Sequence, residues 1–305
     1  MKNIKFTVIG TSFNDAKIIL NYFTSIMQQT FQPVEYILVD GGSTDNTVEM
    51  VKEFAEKENA PIRVISGQRL NIAQGYNVGI KEAKTDIIII TGLGNKYEST
   101  FFEELIKEYS SGDNKVVYGP IVGQDNNFFS YVYNRAYLRG KEGWRSWVPS
   151  NRGVLIEKSV FEQIGYFYEK FVYAGEDSEF FKRVMNNGIP VGYTKKARLY
   201  WETPKSMKEH IKKKNGYYIG GMQHSGHKKD LMLAYGVLAC SALGIVFCKT
   251  IWPYIALIAA YIMMSLRIHS FNPLAFLLRV FDMILPIYLQ FKNRKYSDAS
   301  YKVGD

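Results

Sequence analysis

Apolar residues in the first ninety positions follow two alternating rhythms. Short runs at Phe6–Ile9, Tyr36–Val39, Ile62–Ile65 and Asp86–Ile90 have the length and β-branched content of buried strands. Longer stretches with a helical period lie between them. Asp15–Gln29 sets Ile18, Ile19, Tyr22, Phe23 and Ile26 on one face. Ser43–Lys57 opens with Ser43 and Asp45 as capping candidates, and Ala73–Ala83 follows the third run. Strands alternating with helices predict an α/β fold, a mostly parallel central sheet flanked by helices. Such sheets bind ligands at the carboxyl ends of their strands. Chemistry is therefore to be sought in Gly10–Asn14, Asp40–Asp45, Gln68–Asn71 and Thr91–Lys96.

From Phe101 onward the rhythm is mixed and rich in aromatics. Gln124–Gly143 reads as a helical or loop excursion, Val154–Ile156 as a strand and Ser159–Ile164 as a short helix. Glu176–Asn187 is a helix closed by Gly188 and Pro190. The last third changes character. Leu231–Cys248 carries no charge, and Ile251–Leu266 is nearly as apolar, with only Lys249–Thr250 between them. Each run approaches the roughly 20 residues that cross a bilayer. They predict a transmembrane hairpin over about 231–248 and 251–268, with the buried hairpin of a soluble domain as the competing reading. Phe271–Phe291 is apolar but holds Asn272, Arg279, Asp282 and Gln290, which share one side at 100° per residue. That pattern predicts an amphipathic helix in the membrane interface, at about 271–291, with a third crossing as the competing reading. The expected division is a domain at 1–222 and an anchor at 223–305.

Charge supports this division. The net charge of the 305-residue chain is +9, and a basic cluster including Lys208, Lys212, Lys213, Lys214, Lys228 and Lys229 precedes the apolar runs. Beside a membrane segment, such a cluster marks the cytosolic face and attracts anionic headgroups. This is a simpler reading than nucleic-acid binding. Both ends of a two-crossing anchor then carry basic residues on the cytosolic side. Cys240 and Cys248 both lie in the apolar region, so disulfide and metal–thiolate frameworks are disfavoured. The first residues lack a signal-peptide pattern. The expected location is the cell membrane, multi-pass, with the first domain in the cytosol. Partners other than nucleic acid are expected, and the oligomeric state is left open.

Several residues bring chemistry to the strand ends. Val39 through Thr47 follows the second strand and opens a helix, so Asp40 is either part of a turn or an acceptor for a ribose hydroxyl or base N–H. A dinucleotide site is disfavoured because Gly10–Asp15 lacks a GxGxxG pattern. These segments resemble family 2 of the inverting glycosyltransferases, whose nucleotide-diphospho-sugar transferase domain is GT-A-like. The resemblance rests on Val8–Asp15, Asp40–Thr47, Asn71–Ile80 and Gly175–Arg183, in that order, and spans about Met1 to Gly221. With its basic segment and short anchor, the chain is similar to exopolysaccharide glycosyltransferases of the succinoglycan type.

The resemblance implies that Thr11, Phe13, Asn14 and Asp40 hold the nucleoside, with Gly75 and Asn77 in the helix entry that follows. It implies that Asp177 is the catalytic base, with Glu176 supporting its loop. An inverting transfer needs one carboxylate to accept the proton of the attacking hydroxyl. A capping role is the alternative for both acids. The implied function is transfer from a nucleotide sugar, UDP-linked by family frequency, to a lipid-linked saccharide or polysaccharide acceptor in cell-envelope biosynthesis. A polyprenyl-phosphate glycosyltransferase and a catalytically impaired subunit are the rival readings.

One departure stands out. The family's metal-binding Asp-x-Asp falls at Gly92-Leu93-Gly94, followed by Asn95 and Lys96. Three readings stay open: Mg²⁺ or Mn²⁺ held by other ligands with Asn95 as a weak candidate, direct neutralisation of the diphosphate by Lys96, or lost catalysis. Arg152 is a further candidate on the donor side. Arg145 and Trp147 are candidates around the acceptor, and Lys213, Lys214 and Tyr217 are either diphosphate contacts or membrane-surface charge.

Overall fold

The computed structural model describes residues 4–138, 149–171, 174–223, 232, 235–236, 252–268 and 271–293. Arg145, Trp144, Trp147, Lys228, Lys229 and both cysteines lie outside them. So does the first expected crossing segment, 231–248, except for Met232, Tyr235 and Gly236. Two compact units divide the chain. One comprises Met1–Val122, Arg145–Val172 and Glu176–Glu202, the other Gly123–Trp144, Tyr173–Gly175 and Thr203–Asp305.

The first unit opens as the hydrophobic rhythm predicts. Its elements begin β1 (Phe6–Ser12), α1 (Ile19–Met27), β2 (Glu35–Asp40), α2 (Thr47–Lys57), β3 (Ile62–Ile65), α3 (Ile72–Glu82) and β4 (Ile87–Thr91). Then come β5 (Asn95–Tyr97), α4 (Phe101–Ser110), β6 (Val116–Tyr118) and β7 (Ile121–Gly123). After α5 (Phe128–Tyr137) of the second unit, β8 (Gly153–Glu157), α6 (Lys158–Ile164), α7 (Glu176–Asn186), β9 (Val191–Tyr193) and β10 (Leu199–Trp201) complete it. The seven-stranded sheet has the order β3-β2-β1-β4-β8-β6-β9. Four of its six pairings are parallel, and β8 runs antiparallel to both neighbours. A second sheet, β5-β10-β7, has three strands.

Two helices start later than their periodicity suggests, and polar side chains are the cause. Asp15 to Ile18 form the turn before α1, and the Asp15 backbone N–H is bonded to Thr47. The N-cap of α2 is Asn46 rather than Ser43 or Asp45. Ser43 is engaged in strand-end contacts described below, and Asp45 bonds the N–H of Thr47, where the helix begins.

The core lies where continuous strands meet amphipathic helices. Ile9, Ile37, Val39, Ile88, Ile90, Val154 and Ile156 pack with Tyr76 and Ile80 of α3 and Phe180, Phe181 and Val184 of α7. Close approach of α3 to β1 requires glycine at two successive turns. A Cβ at Gly75 would lie 2.9 Å from Thr11 Cγ2, and one at Gly79 would lie 2.6 Å from Ile9 Cγ2.

The second unit contains α5, α8 (Met207–Gln223), α9 (Trp252–Ile268) and α10 (Pro273–Lys292). Among the described residues, α10 is the one helix long and apolar enough to cross a membrane, with 20 residues and a mean hydropathy of 1.7. The second expected crossing segment forms α9, which has 17 residues. The polar side of α10 differs from expectation. Asn272 is its N-cap, accepting from Leu274 and Ala275 N–H. Asp282 faces His210 and Lys214 of α8 and Tyr137 of α5 rather than water. The apolar side is the exposed one, with Leu277 57% and Phe291 72% accessible. Charges in an apolar helix find protein partners before they face lipid.

Gly79→Ala tests the helix–sheet contact. Ala favours the helix by about 1 kcal/mol, but overpacking a filled core costs about 1–3 kcal/mol. We expect a lower melting temperature than wild type, read by thermal denaturation of the purified chain.

Candidate active site

Acids and hydroxyls tie the carboxyl ends of β1 and β2 together. Asp40 closes β2 and is 2% exposed. Its carboxylate accepts from Ser12 Oγ at 3.3 Å, Gly42 N at 3.0 Å, Ser43 N at 2.9 Å and Ser43 Oγ at 2.5 Å. Asn14 sits at φ 56°, in the left-handed region that Asn tolerates. Its backbone N–H donates to Ser43 Oγ at 2.8 Å, and its Oδ1 accepts from Thr44 N at 2.8 Å. Asp45 accepts from the Thr47 and Ala16 backbone N–H groups. The Gly-Ser-x-Asp-x-Thr run is thus a lattice joining two loops. Within it, burial pushes the Asp15 carboxyl above its ordinary range, and repulsion from Asp45 and Asp40 adds to this.

Gly41, in place of the second acid, has a steric cause. A Cβ there would lie 2.9 Å from the Leu70 carbonyl oxygen and 3.3 Å from that of Ser12. The 68–71 loop comes so close that no side chain fits. The same loop brings the Arg69 guanidinium 4.2 Å above the ring of Phe13, which is 44% exposed. Arg69 was not among the residues expected at the site.

Gly75 and Asn77 hold the scaffold at this end. Gly75 receives the Thr11 methyl group. The buried Asn77 amide donates to Phe167 O and Glu169 Oε1 at 2.8 Å each, and its Oδ1 accepts from Phe167 N at 3.0 Å. Asn71 caps α3 with a capping box and donates to Glu169 O at 2.6 Å. These amides fix the 167–169 segment that leads toward α7.

A second cluster forms around Gly92. Gly92 N donates to Tyr97 Oη at 2.9 Å, and Tyr97 Oη donates to the Arg152 carbonyl at 2.6 Å. Asn95 is 6% exposed. Its Nδ2 donates to Gly92 O at 3.0 Å, while its Oδ1 has no hydrogen-bond partner. The buried side-chain amide of Asn151 likewise has none within hydrogen-bonding geometry. Both adjoin Gly92, where a Cβ would lie 2.8 Å from Asn95 Nδ2 and 3.8 Å from Asn151 O. The next residue after Asn151, Arg152, lays its guanidinium 4.4 Å over the ring of Trp201.

The acids at the start of α7 meet this cluster through residues 150–152. Asp177 Oδ2 accepts from Ser150 Oγ at 3.2 Å, and Oδ1 accepts from Ser178 N at 2.7 Å. Glu176 is buried. Burial, then the neighbouring Asp177, push its carboxyl up to about 7, against the pull of Arg152. Tyr76 connects this cluster to the strand ends. Its hydroxyl donates to Thr91 O at 3.3 Å, and burial, with Glu176 and Asp177 nearby, raises its pKa.

Of the residues expected from sequence, Thr11, Phe13, Asn14 and Asp40 gather at one set of strand ends. Asn95, Arg152, Glu176 and Asp177 gather around the other. Lys96 is placed elsewhere. Alternation along β5 buries Asn95 and Tyr97 and sends the exposed Lys96 to the opposite face of the small sheet. Ser150, Tyr97 and Trp201 were missed. Trp201 lies in a three-residue strand, too short to show a period, and only its being an aromatic beside Glu202 and Thr203 marked it out.

The turn offers a divalent cation backbone carbonyls and the Asn95 amide, neutral oxygens without the carboxylate charge such ions favour. Among the described residues, no group of three or more His, Cys, Asp or Glu is arranged to hold a metal ion.

The raised pKa of Glu176 sets a pH dependence. Its folded value, about 7, lies above the ordinary 4.5, so the folded state binds the proton more tightly. The contribution to stability is full below about 4.5 and is lost as pH rises through about 7. Glu176→Gln removes this loss, so the melting temperature of the variant relative to wild type should rise between pH 5 and pH 8. Parallel melts at the two pH values check it.

Comparison with known proteins places these features in a family. The glycosyl transferase family 2 model matches residues 7–185. Glycosyltransferase GlyG of Streptococcus pneumoniae is 32% identical over 130 residues, which are 41% of this chain and 43% of that protein. The chain thus spans less than half of that relative. A Methanococcus voltae protein named dolichyl N-acetyl-alpha-D-glucosaminyl phosphate 3-beta-D-2,3-diacetamido-2,3-dideoxy-beta-D-glucuronosyltransferase is 24% identical, covering 75% of this chain and 74% of its own. The fold is similar to that of mannosyltransferase PcManGT from Pyrobaculum calidifontis, solved with GDP-Man and Mn²⁺. That likeness has a TM-score of 0.66 and 19% identity, over 96% of this chain and 88% of that one. With the family model spanning more than half its length, and with the GT-A-like fold in place, the chain belongs to glycosyl transferase family 2.

Proposed function

We propose that the chain is an inverting glycosyltransferase that moves a sugar from a nucleotide sugar to a hydroxyl of a lipid-linked or polysaccharide acceptor at the cytosolic membrane face. The observation that carries this reading is the carboxyl pair opening α7. Glu176 is buried and its carboxyl is pushed up to about 7, whereas Asp177 is held by Ser150 and the Ser178 N–H at the helix start. A negative carboxylate is favoured at that end of a helix.

In this reading, Asp177 accepts the proton of the acceptor hydroxyl as its oxygen attacks the anomeric carbon. The bond to the nucleoside diphosphate breaks on the opposite face, and the leaving group departs with the electron pair. Thr11, Phe13 and the Asp40 turn form the nucleoside end. Asp40 acts there by shaping the 41–43 loop, since four donors already occupy its carboxylate. Arg152 supplies the positive charge for the diphosphate, a role its place beside Gly92 and Asn151 suits better than that of Lys96. Asn95 and Asn151, with unspent amide atoms, are the neutral contacts for the donor. Gly75 and Asn77 position rather than touch it. A UDP-linked donor is the natural first choice for assay.

Membrane association draws on the exposed apolar sides of α9 and α10, among them Ile258, Met263 and Leu277. The relative from M. voltae carries a dolichyl phosphate substrate in its name, which supports a lipid-linked acceptor here. One rival has a specific observation behind it. The Gly92–Asn95 turn lacks carboxylates, as a non-catalytic subunit of the same fold also could.

Turnover of a nucleotide-sugar panel by the purified chain separates these readings. Asp177→Asn should lower the rate by about 10²–10⁴-fold, the usual contribution of a general base, with nucleotide affinity retained. Arg152→Gln should lower the rate while EDTA leaves it unchanged. Loss of activity in EDTA with recovery in Mn²⁺ would remove the role given to Arg152. Nucleotide binding without turnover under any metal condition would identify the non-catalytic subunit.

A further inference from the structure

The second unit holds a charged cavity that donor chemistry does not use. It encloses about 380 Å³ and is lined by Lys214 and Tyr217 of α8, Met264 of α9, and Arg279, Asp282 and Leu289 of α10. Three partners satisfy Asp282: His210 Nε2 at 2.7 Å, Lys214 Nζ at 2.6 Å and the Tyr137 hydroxyl. Arg279 differs from it. Its guanidinium stacks 4.9 Å from the Tyr137 ring, yet among the described residues it has no carboxylate within ion-pair reach and no hydrogen-bond acceptor. Its guanidinium donors are therefore available to a ligand in the cavity. Lys214 also keeps donors beyond the one given to Asp282. The cavity is therefore lined both by two cations and by the apolar Met264, Leu285 and Leu289.

We infer that this cavity binds the phosphate-bearing end of a long-chain lipid, with the phosphate at Arg279 and Lys214 and the first part of the chain along the apolar wall. Arg and Lys together suit a terminal phosphate or diphosphate, which carries more charge than the single negative phosphodiester of a glycerophospholipid. The apolar wall excludes free phosphate as the intended ligand, and the exposed apolar residues Leu277 and Phe291 of the same helix put lipid within reach. The inference rests on the lipid-linked acceptor reading and names the part of that acceptor recognised by the second unit.

The test is calorimetric titration of the full chain in detergent with farnesyl diphosphate, inorganic diphosphate, farnesol and phosphatidylglycerol. Farnesyl diphosphate should bind at least about tenfold more tightly than each of the other three. Arg279→Gln, which removes one charge-assisted contact, should weaken it about tenfold. Met264→Trp, which fills the apolar wall, should do the same in a protein that melts like wild type. If Arg279→Gln does not fold, the Met264 variant decides. Equal binding of inorganic diphosphate or phosphatidylglycerol, or unchanged binding by a folded variant, overturns the inference. Failure of the transferase reading would appear separately, as absent sugar turnover with lipid binding intact.

Discussion

A single buried hydroxyl ties together the cluster around Gly92 at the candidate site. Tyr97 Oη takes the N–H of Gly92 and gives its proton to the carbonyl of Arg152, so the turn after β4, the end of β5 and the entry to β8 are locked at one point. A buried phenol needs such partners, and here the partners are the backbone of the two residues around which the cluster forms. From that knot Arg152 projects over Trp201, Asn95 turns its amide to Gly92, and Ser150 reaches Asp177. The acids of α7 belong to the site because the strand entry beside them is fixed.

The other half depends on a comparable economy. Asp40 and Asp45 collect the loose backbone N–H groups and hydroxyls of two loops, leaving Phe13 and Arg69 on the outside as a flat, partly exposed face. This also explains why Gly41 is tolerated where the family has an acid. The Leu70 carbonyl fills the space, and Asp40 alone organises the turn. In the proposed reaction Arg152 takes the charge of the leaving group, beside a turn whose own side chains are neutral.

Much of the parallel half was legible because continuous strands and 3.6-residue periods are long-range patterns. Strands of three residues carry no such pattern, so β5, β6, β7, β9 and β10 were invisible, and with them the positions of Trp201 and Lys96. Motifs pointed to candidate residues but not to what they touch. Asn77 stood out in sequence as a donor contact, whereas its amide is wholly engaged in holding the 167–169 segment. The start of α2 was misjudged for a related reason: Ser43 looks like a cap but is engaged by Asn14, and Asp45 is shared between Ala16 and Thr47. In α10 the spacing of Arg279 and Asp282 was read correctly as one polar side. Only the packing shows that this side is turned to α5 and α8.

The central claim is a single displacement with Asp177 as base. The stereochemistry of transfer tests it most directly. With an α-linked nucleotide sugar, the first-formed product followed by proton NMR should carry the β-anomeric configuration. An α-linked product would require a different mechanism and contradict the account.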